Sequence, residues 1–128
     1  MAIEAIMKYI GLWLDHKKAV IITRNQNKET LEKINSKLTP GDKTKHSALM
    51  APKKQEQRRD HIVSKFYEDI LKRFKKADKV LLMGPGIAKK EFKKFLEQKD
   101  FSGEVVKVLT VDKMTDRQIS AQTRNFFQ

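Results

Sequence analysis

The segment KVLLMGPG, residues 79–86, decides the fold class of this chain. It begins with a short, continuously apolar run, which is typical of a strand that is buried on both faces of a sheet. The Gly-Pro-Gly turn then ends the strand. The segment therefore predicts a sheet that is covered by helices, as in an α/β domain.

Helical patterns flank this strand on both sides. Before it, apolar residues recur at three- and four-residue spacing from Ile62 to Phe74 and form a broad stripe. After it, the sequence predicts an amphipathic helix with four apolar side chains facing inward and five lysines mostly facing outward. The apolar residues are Ile87, Phe92, Phe95 and Leu96, and the lysines are Lys89, Lys90, Lys93, Lys94 and Lys99.

Two further strands and one ambiguous segment precede the first helix. Residues 7–14 and 19–23 are rich in aromatic and β-branched residues and are separated by a polar turn, so they predict a β-hairpin. Residues 29–38 fit a third, half-exposed strand or a short helix. The sequence then breaks at the turn residues 39–42.

The chain is predicted to end with a strand and a helix. Residues 105–111 form the strand, and Thr115 offers an N-cap hydroxyl to a helix with Gln118 at the capping-box position. This last helix is expected to bury Ile119, Ala121 and either Phe126 or Phe127. The whole order, β-β-β, loop, α-β-α-β-α, predicts an α/β fold with a mixed sheet, antiparallel in its first half and joined by β-α-β crossovers in its second.

Length and composition restrict the class of protein. The 128 residues fit a single domain, 1–128, and the 39% of hydrophobic residues suffice for one sheet with its helices. Cysteine is absent, which excludes disulfides and thiolate metal sites. No apolar run approaches the roughly 18 residues of a membrane span, and the start MAIEAIMKYI lacks the features of a signal peptide. We therefore expect a cytoplasmic protein with no membrane partner.

Positive charge is the strongest feature of the composition. The net charge is +12, and residues 37–76 carry twelve basic residues against five acidic ones. Within this region, residues 39–55 show little apolar periodicity and are predicted to form a basic loop that leads into the first helix. Such a segment attracts polyanions, above all RNA, although a merely solvated surface has the same composition. The candidate RNA-binding residues are Lys43, Lys45, His46, Lys53, Lys54, Arg58 and Arg59.

The sequence offers no positive case for an enzyme, a cofactor or a metal. The Gly-Pro-Gly turn matches neither nucleotide-binding pattern, and Pro85 removes a backbone donor. The three histidines lack the spacing of a zinc site. A metal-dependent nuclease is the weakest alternative; it would use the strand-end residues Asp15 and Asp112 with a helix acid, Asp60 or Glu68.

Four stretches carry a resemblance to a known family. They are GLWLDHKKAVI (11–21), KHSALMAPKKQEQRRDHIVSKFYEDI (45–70), VLLMGPGIAKKEFKKFL (80–96) and VDKMTDRQISAQTRNFF (111–127). Together they resemble the small bacterial proteins labelled "translational machinery protein", which are similar to the central domain of archaeo-eukaryotic class-1 peptide release factors and of Pelota. The pattern GPG-x-x-K-x-x-F, residues 84–92, and the basic loop-to-helix segment are the most specific parts of this resemblance.

This resemblance implies a ribonuclease H-like, mixed fold and a partner in translation, such as ribosomal RNA or the ribosome. In the release factors, the loop before the long helix carries a Gly-Gly-Gln motif that acts in peptide release. The equivalent residues 45–50, KHSALM, contain no glycine and no glutamine. The resemblance therefore implies a non-catalytic, Pelota-like accessory protein. A protein-interaction module, for example a homo-oligomer that uses Leu49 and Met50, is the alternative.

Overall fold

A computed structural model describes residues 7–26, 28–38, 52–74 and 76–128. Five strands form one sheet in the order β3-β2-β1-β4-β5, and three helices pack on it within the described ranges. The strands are β1 (Lys8–Leu14), β2 (Lys18–Asn25), β3 (Lys28–Asn35), β4 (Lys79–Gly84) and β5 (Glu104–Thr110). The helices are α1 (Pro52–Arg73), α2 (Ala88–Gln98) and α3 (Asp116–Phe126).

The sheet is mixed, as the sequence predicts. Strand β2 pairs antiparallel with both β1 and β3, so the first three strands form two successive hairpins. Strand β4 then lies parallel to β1 on one side and to β5 on the other. Both parallel pairings require crossovers, which α1 and α2 supply. Of the two interpretations of residues 29–38, the strand is correct, since β3 is paired along its whole length.

Strand β4 lies at the centre of the sheet and contributes to both of its faces. Its residues Val80 and Leu82 belong to the core under α1 and α2, whereas Leu81 and Met83 belong to the core under α3. All four side chains are fully buried. This alternation confirms that the continuous apolar run marks a strand with a helical layer on each side.

Helix α3 begins as predicted, and of the two phenylalanines in the prediction it is Phe127, directly after the helix, that packs partly buried on the core of this face. Thr115 and Gln118 form a complete capping box, and Ile119 is buried. Phe126, however, is 37% exposed, and the fully buried residue one turn earlier is Thr123. The helix presents a small polar face to the sheet because Thr123 lies directly over Gly11.

The contact between Gly11 and Thr123 sets the distance of α3 from the sheet. A Cβ atom at Gly11 would lie 1.8 Å from the Thr123 hydroxyl oxygen, so a larger residue in β1 would push the helix outward. The Thr123 hydroxyl is itself satisfied, because it donates a 2.8 Å hydrogen bond to the carbonyl of Ile119. Glycine at this strand position is therefore a packing requirement.

No helix in the described ranges is long and apolar enough to cross a bilayer.

Candidate nucleic-acid interface

The described part of the predicted basic segment is the first half of α1. Lys53, Lys54, Arg58 and Arg59 lie there and are all exposed. Lys43, Lys45 and His46, together with the apolar tip residues Leu49 and Met50, lie outside the described residues, as does most of the predicted loop at 39–55. The structure thus places four of the seven candidate RNA-binding residues on one helix.

Three of the cations at the start of α1 have no ion-pair partner among the described residues. The first turn of this helix contains no acidic residue. Lys53, Lys54 and Arg59 form no ion pair with any residue in the described ranges. The helix dipole places partial positive charge at an N-terminus, where cations are therefore unfavourable. This end of α1 therefore combines two sources of positive potential.

A groove continues this surface between α1 and α2, near the turn that follows β1. Its volume is about 410 Å³. Arg59 belongs both to the basic half of α1 and to the groove wall, so the two features form one surface. The residues of the groove used below are His16, Arg59, Tyr67, Ile87, Glu91 and Lys94.

The sequence predicts that Ile87 faces inward, and this prediction is wrong. Its side chain is 61% exposed at the mouth of the groove. The reason is its position: Ile87 is the N-cap of α2, so it precedes the helical turns whose periodicity directs Phe92, Phe95 and Leu96 into the core. Those three residues are buried as expected.

Three polar side chains from distant parts of the sequence meet inside the groove. One carboxylate oxygen of Glu91 accepts a hydrogen bond from the Tyr67 hydroxyl and contacts the Nε2 atom of His16, both at 2.8 Å. Because a carboxylate only accepts, this contact favours the His16 tautomer with its proton on Nε2. We call this arrangement the Glu91 junction. It joins the β1–β2 turn, α1 and α2.

The electrostatics of the Glu91 junction indicate a structural role. Burial acts to raise the pKa of Glu91, but the hydrogen bonds from His16 and Tyr67 oppose it, and the pKa is lowered overall. Burial, followed by the hydrogen bond to Glu91, raises the pKa of the Tyr67 hydroxyl. At neutral pH the carboxylate is therefore ionised and the phenol protonated. Sequence reasoning missed this junction because residues 16, 67 and 91 follow no common spacing.

Lys90, Lys93, Lys94 and Lys99 are exposed, which confirms that the lysines of this segment face mostly outward, and Lys89 is the exception. Only 2% of Lys89 is exposed, and its ammonium group donates a hydrogen bond to the carbonyl of Gly86. Burial, together with the nearby charge of Lys90, lowers the pKa of Lys89. This lysine holds the Gly-Pro-Gly turn from inside and does not present its charge to a phosphate.

Gly84 explains why this turn requires glycine. A Cβ atom at Gly84 would lie 2.3 Å from the backbone oxygen of Leu14, at the end of the neighbouring strand β1. The turn therefore allows two strand ends to approach closely. Packing therefore accounts for Gly84 and Lys89 in the GPG-x-x-K pattern.

The carboxylates of the nuclease alternative do not converge. Asp15 accepts hydrogen bonds from the backbone amides of Lys17 and Lys18, both at 2.8 Å, and Asp112 accepts one from its neighbour Lys113. Glu68 pairs with Lys99, the C-cap residue of α2. Among the described residues, no three His, Asp or Glu side chains lie close enough to hold a metal ion. The arrangement gives the metal-dependent nuclease no support.

Comparison with known proteins yields structural neighbours only. No family model matches the chain, and no curated protein sequence matches it. The archaeal translation termination factor aRF1 superposes with a TM-score of 0.58 at 14% identity, covering 94% of this chain and 39% of its own. Pelota of Thermoplasma acidophilum superposes with a TM-score of 0.53 at 13% identity, and the match covers 95% of this chain and 32% of that Pelota chain. Pelota of Archaeoglobus fulgidus superposes with a TM-score of 0.55 at 14% identity, and the match covers 98% of this chain and 38% of that Pelota chain.

These likenesses establish the fold. The chain has the α/β architecture found in part of release factor aRF1 and of Pelota, which confirms the predicted fold class. It spans about a third to two fifths of the length of these neighbours.

Proposed function

We propose that this chain is a non-catalytic accessory protein of the translation machinery that binds RNA, most simply ribosomal RNA, through the first half of α1. The observation that carries the proposal is the group of exposed cations without ion-pair partners in the described ranges, Lys53, Lys54 and Arg59, at the N-terminus of a long helix. We place the protein in the cytoplasm, where this partner is abundant, and in the small bacterial family that its sequence resembles.

Physical chemistry supports a polyanion as the partner. Each cation that neutralises a phosphate releases a condensed counterion, so affinity comes from charge that is not already paired within the protein. Backbone amides at a helix N-terminus add favourable contacts to phosphate. The same contacts carry no base information, so this surface would position an RNA strand and would not select its sequence.

The fold supports a partner in translation. One protein with this fold is described as a translation termination factor. The segment before α1 nevertheless lacks the Gly-Gly-Gln motif of the release factors, since residues 45–50 read KHSALM. We therefore propose a binding role without peptide release, and we assign no catalytic residue.

The test is neutralisation of the basic face of α1. A variant with glutamine at Lys53, Lys54, Arg58 and Arg59 should bind RNA at least about a hundredfold more weakly at low salt, and its affinity should depend less steeply on salt. Fluorescence anisotropy with a labelled ribosomal RNA fragment measures both quantities. Sucrose-gradient fractionation of lysate at low and high salt then asks whether the native chain travels with ribosomal subunits.

A matched control separates local from global charge. It removes the same four positive charges from exposed positions on β3 and α3, where the cations are Lys28, Lys33, Arg117 and Arg124. This control should keep most of the affinity. Equal losses in the two variants would show that only net charge matters, and full affinity in the α1 variant would refute the proposed site.

A homo-oligomeric interaction module is the second candidate, and the outer edge of β5 favours it. No described strand pairs with that edge, and Val105, Val106 and Val108 on β5 are only half-buried. An open edge strand can pair with another chain. Light scattering over a range of concentrations tests this candidate. Loss of association with Val106→Lys would locate it at the edge, whereas loss with Leu49→Asp would locate it at the loop tip.

A further inference from the structure

The groove between α1 and α2 combines apolar and cationic walls. Val63, Phe95 and Ile87 supply apolar surface, and Arg59 and Lys94 supply positive charge. Ile87 is the most exposed of the large apolar side chains in the described part of the chain. An exposed apolar side chain inside a concave site is a common feature of ligand-binding surfaces.

The charges of the groove do not fit a bare inorganic anion. Arg59 and Lys94 form no ion pair within 4 Å among the described residues, although the charge of Arg59 helps to lower the pKa of Glu91, and the groove also contains the carboxylate of Asp60. The Glu91 junction already occupies Glu91 with two hydrogen bonds. Asp60 makes no hydrogen bond within the described ranges, so it can accept one from a ligand. The lining suits a molecule with one apolar part, one anionic group and at least one donor.

A ribonucleotide has this combination of groups. Its base offers a flat apolar surface, its phosphate a single anionic group, and its ribose a 2′-hydroxyl donor. A groove of about 410 Å³ is within the range of small-ligand sites and admits one splayed nucleotide, whereas a base-paired helix cannot enter it. Recognition of RNA bases generally requires such unpaired, unstacked nucleotides.

We propose that this groove receives one unpaired nucleotide of the bound RNA. The base packs on Ile87 and its apolar neighbours, the phosphate lies near Arg59 and Lys94, and Asp60 accepts a hydrogen bond from the ribose. The inference rests on the proposed function and extends it: α1 holds the backbone of a strand, and the groove selects single-stranded over paired RNA.

The experiment compares two RNAs with the same number of nucleotides and phosphates. One is an unstructured single strand. The other is a blunt-ended hairpin whose loop is a non-nucleotide linker, so that it contains no unpaired nucleotide. Fluorescence anisotropy at fixed salt should show tighter binding of the single strand by the native chain. In Ile87→Ser, affinity for the single strand should fall about fivefold, as for the loss of one base contact, while affinity for the hairpin stays unchanged. Ile87 is 61% exposed and lies outside the core, so the variant should keep its fold.

Two further variants make the result specific. Leu31→Ser removes another exposed apolar side chain, 42% exposed on β3, and should change neither affinity. Lys94→Gln should weaken single-strand binding more than hairpin binding. Equal affinity of Ile87→Ser and the native chain for the single strand, or an equal loss for both RNAs, would overturn the groove proposal and leave the α1 site standing. Absence of RNA binding by the native chain would overturn both proposals.

Discussion

Two surfaces of this protein use the same cationic residues in opposite ways. On the outer hairpin and α3, Arg24 pairs with Glu29 at 2.7 Å and Lys33 pairs with Asp116 at 2.6 Å. On the first half of α1, Lys53 and Lys54 have no ion-pair partner in the described ranges. The difference teaches that a net charge of +12 does not by itself locate a binding face. The pairing of each cation within the fold decides which charges remain available.

Glu29 shows how the ion pairs on the outer hairpin and α3, here called the paired surface, stabilise the fold. Its carboxylate accepts a hydrogen bond from Ser120 on α3, and Arg24 and Arg124 both lie within ion-pair distance. The hydrogen bond from Ser120 lowers its pKa most; burial acts in the opposite direction, and the arginines lower the pKa further. Glu29 therefore ties an edge strand to a helix, and charges on this face act mainly within the protein.

Moving α3 away from the sheet should have the largest effect on stability. Gly11→Ala introduces a Cβ atom 1.8 Å from the Thr123 hydroxyl oxygen, so we expect a loss of about 2–3 kcal/mol in the free energy of unfolding. Urea denaturation measures this value. Thr123→Ala in the same chain should restore part of the loss, because the two sites are coupled. Gly86→Ala is the control: no atom lies within 4 Å of its Cβ position, and a comparable loss there would contradict the packing explanation.

The Glu29 contact should make the paired surface sensitive to pH. Its pKa is lower in the folded state, so its contribution is present above the unfolded value, which is near 4.5, and is lost as the pH falls through the folded value. Glu29→Gln should cost about 1 kcal/mol at pH 7 and less at pH 3, after allowance for partial exposure. Thermal unfolding of both proteins at the two pH values tests this. A cost that does not change with pH would show that the carboxylate charge is unimportant.

The smallest expected effect on stability should have opposite signs on the two surfaces. Lys53→Gln removes an unpaired cation from a helix N-terminus and should stabilise the protein by about 0.3–0.5 kcal/mol at low salt. Lys33→Gln breaks an exposed ion pair and should destabilise it by a similar amount. Denaturant midpoints measured side by side at low and high salt check the comparison. Destabilisation by Lys53→Gln would mean that this lysine has a role in the fold.

The order of elements was predictable because it depends on local patterns. Each pattern belongs to one element or its end: the apolar run at 79–83 to β4, the stripe from Ile62 to Phe74 to α1 and the residue after it, and the capping box at Thr115 to the start of α3. The strand at 29–38 was ambiguous because an edge strand, exposed at its first four residues, lacks a clear apolar face.

The site was predictable only in part. Sequence identified the basic half of α1 from its composition, but it could not show which cations the fold neutralises. It also misplaced Ile87 and did not single out Lys89 as the buried lysine, since side-chain direction at the start of a helix depends on the preceding turn. The Glu91 junction joins residues 75 and 24 positions apart, and no local pattern reports such contacts.

The Glu91 junction has a mechanical consequence. One oxygen atom of Glu91 ties together a turn and two helices, so the two helical walls of the groove cannot move apart without breaking the hydrogen bond from Tyr67 to Glu91. An incoming molecule would therefore meet a slot whose width is already set, and little ordering entropy would be lost on contact. A groove of fixed width discriminates against ligands of the wrong shape, independently of their hydrogen-bonding groups.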